Sequence, residues 1–255
     1  MKSKIDLNCD MGESFGRYPL GSDAEIIHYV TSANIACGFH AGDPLVMRAT
    51  VALAAAAGVN IGAHPGYPDL QGFGRRNMEL SPAEIEALVL YQIGALSGFA
   101  RSAGVELVHV KPHGALYNQA AKDPALAAAV ARGVARFSRE LILVGLAGSR
   151  LIDAAVDAGL PTASEGFADR AYNPDGSLRA RSLPGAVHTD PAEAAAQAVR
   201  LAQQGIPITA GSQTRYAPVD TLCIHGDTPS AVEFAGAVRA ALVEAGIEVK
   251  GLQQA

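Results

Sequence analysis

The chain has 255 residues, 49% hydrophobic and 18% charged, with no low-complexity tract; this excludes a disordered or fibrous protein and suits one domain over residues 1–255. Its 20 Lys and Arg are outnumbered by 25 Asp and Glu, giving a net charge of −5, and no basic run stands out, so neither nucleic acid nor an anionic membrane is expected as a partner. No apolar stretch is long enough to span a bilayer, no apolar leader precedes Asp6, and three widely spaced cysteines (Cys9, Cys37, Cys223) form no CxxC pair, so a reducing, cytoplasmic location is expected.

In chain order, the first predicted strand covers residues 5–10, followed by a helix around 23–30 and a strand near 33–38. Asp43-Pro44 then caps a helix that runs to Gly58. The third strand, 60–64, opens into a long loop, 65–80, rich in Gly and Pro. Ser81-Pro82-Ala83-Glu84 reads as a capping box opening a helix to about 103. A fourth strand at 106–111, a helix capped by Asp123-Pro124, a fifth strand at 141–145 and a helix at 149–158 follow. The sixth strand is 162–167. Within the irregular stretch after it, Asn173-Pro174-Asp175-Gly176-Ser177 marks a hairpin tip. Asp190-Pro191 opens another helix, 207–210 reads as a short extra strand, 221–225 is the seventh main strand, and Thr228-Pro229 opens the last helix.

Strands alternating with helices predict a mainly parallel sheet with helices outside. Two features favour a closed barrel over an open sheet. No Gly-x-Gly-x-x-Gly follows the first strand, and polar residues gather near the C-terminal ends of most strands.

The strand period of two sharpens the second point. In the first strand Ile5, Leu7 and Cys9 face one way, and Asp6, Asn8 and Asp10 the other, with Glu13 beyond the turn at the rim. Asn34 and His40, then His64, then His109, Lys111 and His113, then His225 and Asp227 repeat a polar face on later strands. Glu165 lies near the end of the sixth, with Asp169 and Arg170 just beyond. His28 and His188 fall elsewhere and read as structural or solvated. Buried imidazoles and carboxylates are costly unless paired, so five histidines at strand ends point to a site at the barrel mouth. Two chemistries stay open. Asp10, His40, His64, His113, His225 and Asp227 suit a divalent metal of the His/carboxylate kind. Alternatively a carboxylate such as Asp10 acts as general base on water, with a histidine as acid and Lys111 holding an anion. The loop 66–76 reads as a lid whose Arg75 and Arg76 clamp an anion. There is no Gly-x-Ser-x-Gly elbow and no phosphate-binding Gly-x-x-x-x-Gly-Lys loop.

Six blocks carry a resemblance: Asp6-Leu7-Asn8-Cys9-Asp10-Met11-Gly12-Glu13, Asn34-Ile35-Ala36-Cys37-Gly38-Phe39-His40-Ala41-Gly42-Asp43, Gly62-Ala63-His64-Pro65-Gly66-Tyr67-Pro68-Asp69, Val110-Lys111-Pro112-His113-Gly114-Ala115-Leu116-Tyr117, Glu165-Gly166-Phe167-Ala168-Asp169-Arg170 and Ile224-His225-Gly226-Asp227. Together they resemble the LamB/YcsF family, the A subunits of 5-oxoprolinase. The resemblance implies a seven-stranded parallel β/α barrel similar to the glycoside hydrolase/deacetylase fold. It also implies a part in ATP-dependent opening of the 5-oxo-L-proline lactam to L-glutamate, with ATP converted to ADP and phosphate. Partner B and C subunits are implied, with ATP handled through the complex. The resemblance assigns no roles; the residues' own chemistry, set against that reaction, makes Asp10 or Asp227 the expected base, His64 or His113 the acid, and Lys111 and Arg75 the anion holders. Asn8, His40, Glu165, Arg170 and His225 are expected at the substrate. A divalent metal on Asp10, His40, His64 or His113 is compatible with the same residues. The alternatives are a stand-alone metal-dependent deacetylase or amidohydrolase, and a non-catalytic substrate-binding subunit.

Overall fold

The computed structural model describes residues 4–226 and 230–254. In chain order come β1 (Lys4–Met11), α1 (Asp23–Ile26), β2 (Ser32–Ala36), α2 (Pro44–Ala57), β3 (Asn60–His64), α3 (Pro82–Ser102), β4 (His109–Val110), α4 (Gly114–Ala120) and α5 (Pro124–Phe137). Then follow β5 (Ile142–Leu146), α6 (Arg150–Asp157), β6 (Thr162–Phe167), α7 (Pro191–Gln204), β7 (Ile206–Ala210), β8 (Gln213–Ala217), β9 (Thr221–Ile224), α8 (Ala231–Glu244) and β10 (Glu248–Val249). Strands β1 to β6 pair in parallel in sequence order, β9 joins β6, and β9 returns to β1, closing a seven-stranded barrel. β7 and β8 form a separate antiparallel hairpin, and β10 adds to the start of β1.

Four helices begin where the sequence says they should, and the expected opening of the last at Thr228-Pro229 lies outside the described residues. Asp43, Asp123 and Asp190 each accept a backbone N–H of the first turn and are each followed by proline, and Ser81 with Glu84 closes a capping box. Several elements differ from expectation, among them β10, a short strand not foreseen from the sequence. α1 is four residues long, not eight. α4 is an addition, because a seven-residue helix shows too few apolar repeats to stand out, although Ala115, Leu116, Tyr117 and Ala120 are buried by it. β4 pairs over two residues only, although Lys111 continues the path by donating its N–H to Ala63 O. The 207–210 strand is real but belongs to a hairpin. Its partner β8 is almost wholly exposed and has no apolar alternation to announce it.

The outward faces of the strands pack on the helices in one aliphatic core that includes Ile5, Leu7, Cys9, Ile35, Ile61 and Leu222. The barrel interior is mostly polar and densely hydrogen-bonded, in layers. The lowest layer is Asp6, which accepts from Thr31, Ser32 and Thr221. Burial raises the Asp6 pKa, and the Ser32, Thr221 and Thr31 hydroxyls work against the rise. In the next layer Asn8 donates to Glu165 (3.1 Å) and Thr221 (2.7 Å), Asn34 donates to Asn8 (2.7 Å), and His109 Nε2 sits 2.7 Å from Asn34 Oδ1. Gly62 is required here. A Cβ on it would lie 2.1 Å from His109 Nε2, and that ring is fully buried. The interior turns apolar where Ile142, Val144 and Ala163 pack, with Leu252 of the C-terminal tail against them.

Candidate active site

The polar layers rise to a cavity of about 370 Å³ at the C-terminal ends of the strands, lined on its inner side by Asp10, His64, Lys111, His113, Phe167 and His225. Asp10 ends the interior face of β1, and Lys111 follows β4 directly. Lys111 Nζ donates to Asp10 (3.0 Å), Glu165 (2.8 Å) and Asn8 (3.1 Å), and lies 3.1 Å from Cys223 Sγ. Burial opposes the charge on Lys111, but Asp10 and Glu165 overcome it, and its pKa stands well above the ordinary lysine value. Burial likewise pushes Asp10 up, yet His64 and Lys111 outweigh it and hold the carboxyl well below the usual range. Asp10 is therefore an ionised carboxylate at the cavity floor, and Lys111 an ammonium beside it. Glu165 also accepts the Tyr117 hydroxyl at 2.6 Å. Asn8 and Glu165 thus lie beneath the cavity, holding Lys111, and are not among its lining residues.

A second group sits beside Asp10. Glu13, His40, His64 and His113 are all buried, and one ligand atom from each lies within 4.8 Å of the others. Two backbone carbonyls fix the histidine tautomers. His64 Nδ1 stands 2.6 Å from Lys111 O, and His113 Nε2 stands 2.8 Å from Phe73 O; each carbonyl can only accept, so each of these nitrogens carries a proton. Their other nitrogens, His64 Nε2 and His113 Nδ1, face each other at 3.0 Å. In neutral rings both bear lone pairs, and two lone pairs at that distance need a proton or a cation to bring them together. His64 Nε2 is also 3.2 Å from Asp10 Oδ2, and His40 Nε2 is 3.5 Å from Glu13 Oε1. Neither ring nitrogen of His40 makes a hydrogen bond among the described residues. Three imidazoles and a carboxylate are a donor set suited to a borderline divalent cation. The sequence points to Asp10 as the carboxylate of this set and leaves Glu13 at the rim. The structure brings Glu13 into it, because Gly12 (φ 69) turns the chain inward after β1.

Burial, then the neighbouring histidines, keeps His40 and His113 well below the ordinary imidazole value, and burial with Lys111 brings His109 to about 3. All three rings are neutral when folded but protonate near pH 6.5 when unfolded. Unfolding below that pH takes up protons, so stability falls as pH drops from about 6.5 towards 3, by about 1.4 kcal/mol per pH unit for each ring. A chelator-treated sample should show a clearly lower urea midpoint at pH 5 than at pH 7; equal midpoints would contradict neutral burial.

The loop expected to be a lid is seated on this cluster. Gly66 and Gly74 let its backbone lie against the His40 ring, where a Cβ would come within 2.6 and 2.7 Å of ring or Cβ atoms. Phe73 adopts φ 54 to aim its carbonyl at His113, local strain of the kind found at functional sites. Arg76 is not an anion clamp, because it is committed to Asp69. Arg75 lies over the Phe73 ring and lines the cavity.

On the opposite wall His225 stacks on Phe167 and places Nδ1 2.8 Å from Asp169 Oδ2. Asp169 is buried, which raises its pKa, but His225 more than reverses this and it stays ionised. The carboxylate holds the proton on Nδ1 and leaves Nε2 as the ring nitrogen for the cavity. Sequence alone places Asp169 after the sixth strand and gives it no role. Its spacing of four from Glu165 carries no signal that it meets a residue 56 positions away. Arg170 lines the cavity, while its guanidinium donates to the backbone of Ala186 and Arg179. Asp227 lies outside the described residues. His28 is exposed, and His188 meets Glu193 and Gln197, outside the site.

Closure by seven parallel strands, with an ionised carboxylate, a buried lysine and two histidine systems at the C-terminal mouth, defines an α/β barrel with a candidate active site where such barrels carry theirs. The LamB/YcsF family model matches residues 5–255, and the chain belongs to the LamB/YcsF family. A protein of Tolumonas auensis, named as the A subunit of 5-oxoprolinase, is 56% identical over 250 residues, covering 98% of this chain and all of that one. One of the same name from Pyrococcus furiosus is 54% identical over 96% of each chain. The crystal structure of a lactam utilization protein from Thermus thermophilus is 51% identical, covers 98% of this chain and 100% of its own, and superposes with a TM-score of 0.89. The structure of a deacetylase with substrate is 16% identical with a TM-score of 0.50 over 98% of this chain and 88% of that one, a likeness of fold alone.

Proposed function

We propose that this chain is the lactam-opening component of an ATP-dependent 5-oxoprolinase, converting 5-oxo-L-proline to L-glutamate together with partner B and C subunits while ATP becomes ADP and phosphate. The names borne by its relatives support this reading. The observation that carries it is the ionised Asp10 at the floor of a small cavity, flanked by Lys111 and facing His225. A lactam is a stable amide. Phosphorylation of its oxygen makes the ring carbon an electrophile that water attacks readily, which gives the ATP coupling a chemical reason. Asp10 takes the proton from the attacking water, Lys111 steadies the developing negative charge, and His225, oriented by Asp169, delivers a proton to the ring nitrogen as the C–N bond breaks; the acyl phosphate so formed is hydrolysed by a second water to glutamate and free phosphate. The test is to supply 5-oxoproline and ATP to this chain alone and then with its partner subunits. Glutamate formed only by the full set supports the proposal, and none from any combination refutes it.

Within this reading Glu13, His40, His64 and His113 hold one divalent cation, which when bound supplies a Lewis acid next to Asp10. The chelator-treated chain should take up one equivalent of Zn²⁺, with about 2.7 kcal/mol of added stability at a hundredfold excess over Kd. Glu13→Ala with His113→Ala should abolish the uptake; unchanged uptake would remove the assignment. The same cluster favours one rival, a stand-alone metal-dependent amidohydrolase, which would turn over its substrate without ATP or partners.

A further inference from the structure

Six of the chain's 20 Lys and Arg line the one cavity just described, in a protein whose net charge is −5. Among the described residues only one carboxylate lines it, Asp10, and that is already matched by Lys111 and His64. Three of the cations, Lys122, Arg179 and Arg181, make no side-chain hydrogen bond or salt bridge among the described residues. Lys122 senses Asp175, and Arg181 senses Asp169, only at longer electrostatic range.

Lys122 and Arg181 are exposed and Arg179 is half-buried, but the segment that carries the two arginines is tied down through its backbone. Arg179 N–H donates to Ala171 O at 2.9 Å, Arg170 grips Arg179 O at 2.7 Å and Ala186 O at 3.2 Å, and bridges link Tyr172 to Leu178 and Arg170 to Val187. The 170–187 segment is thus strapped across the mouth with its cations brought together. Their grouping has a cost: burial first, then the charge of Arg181, brings the Arg170 pKa down to about 10. Like charges held together over a cavity, with no carboxylate in contact to offset them, fit a ligand that brings the anion.

We propose that Lys122, Arg179 and Arg181 form a subsite for a phosphoryl group at the outer end of the cavity, and that the cavity's ligand is a small phosphorylated acid. This rests on the proposed function, of which it names the substrate form. The anionic Asp10 at the floor repels a phosphate placed there, so the charged end of the ligand belongs at the rim and the electrophilic carbon against Asp10. About 370 Å³ is near the lower end of the range for small-molecule sites, which favours a compact phosphorylated acid over a whole nucleotide.

The test is calorimetric titration of inorganic phosphate, and separately of ADP, into the full chain at low salt. The samples are wild type, Arg179→Gln/Arg181→Gln, Lys122→Gln, and Arg48→Gln as a charge control on the exposed face of α2. Phosphate should bind the wild type and weaken with added salt. It should bind the double variant about tenfold more weakly and the control within about twofold. Equal phosphate binding by the wild type and both rim variants would overturn the subsite. ADP binding more tightly than phosphate through the same arginines would overturn the small-acid assignment in favour of a nucleotide. If phosphate binding depends on the rim while the full complex forms no glutamate, the subsite stands and the proposed function fails. If glutamate forms but phosphate binding is indifferent to the rim, the function stands and the subsite fails.

Discussion

Lys111→Ala is expected to destabilise the fold by about 3–5 kcal/mol and to lower glutamate formation by at least about a hundredfold. Lys111 is buried and faces Asp10 at 3.0 Å and Glu165 at 2.8 Å, so its removal leaves two carboxylates enclosed without their shared counter-charge. The loss should carry a pH signature. Without the ammonium, burial makes protonation of Asp10 easier in the folded state than in the unfolded one, so stability falls as pH rises. The variant's deficit should therefore be smaller near pH 5 than near pH 8, by urea denaturation of chelator-treated samples. A uniform deficit across that range would mean that Lys111 acts through packing, and an unaltered midpoint would remove it from the network altogether.

Asp10→Asn is expected to behave differently. The amide keeps the volume and can still accept from Lys111 and Asn34, whose contacts are 3.0 and 2.9 Å, so the fold should survive with a modest loss. What disappears is a carboxylate able to take a proton from water. General-base contributions run to about 10²–10⁴-fold, and the loss should fall on kcat while KM changes little. A variant that raised only KM would make Asp10 a substrate contact and favour a binding role for this chain over a catalytic one.

Much of this site is legible in the sequence because parallel barrels impose two rules that survive without coordinates. Alternation tells which side chains of β1 face inward, and strand direction tells which of those reach the mouth. Asp10, His64, Lys111, His113 and His225 emerge in this way, and all five line the cavity. Depth along the strand is harder to read. Asn8 and Glu165 share the inward face, but they lie one layer below the mouth and are consumed in holding Lys111. Partners supplied by turns are not legible at all. Glu13 enters the histidine cluster only because of the left-handed turn at Gly12, and Asp169 meets His225 only because β6 and β9 are neighbours. Arg179 and Arg181 escape notice for the same reason, since an irregular stretch has no period from which a facing direction can be inferred.

The central claim is that an ionised Asp10 activates water for lactam opening, and the direct measurement is the rate of glutamate formation from 5-oxoproline and ATP by the complex assembled with Asp10→Asn. The variant should fold, assemble with its partners and bind substrate, yet form glutamate at least about a hundredfold more slowly than wild type. Wild-type rates from a folded, assembled Asp10→Asn complex would contradict the account.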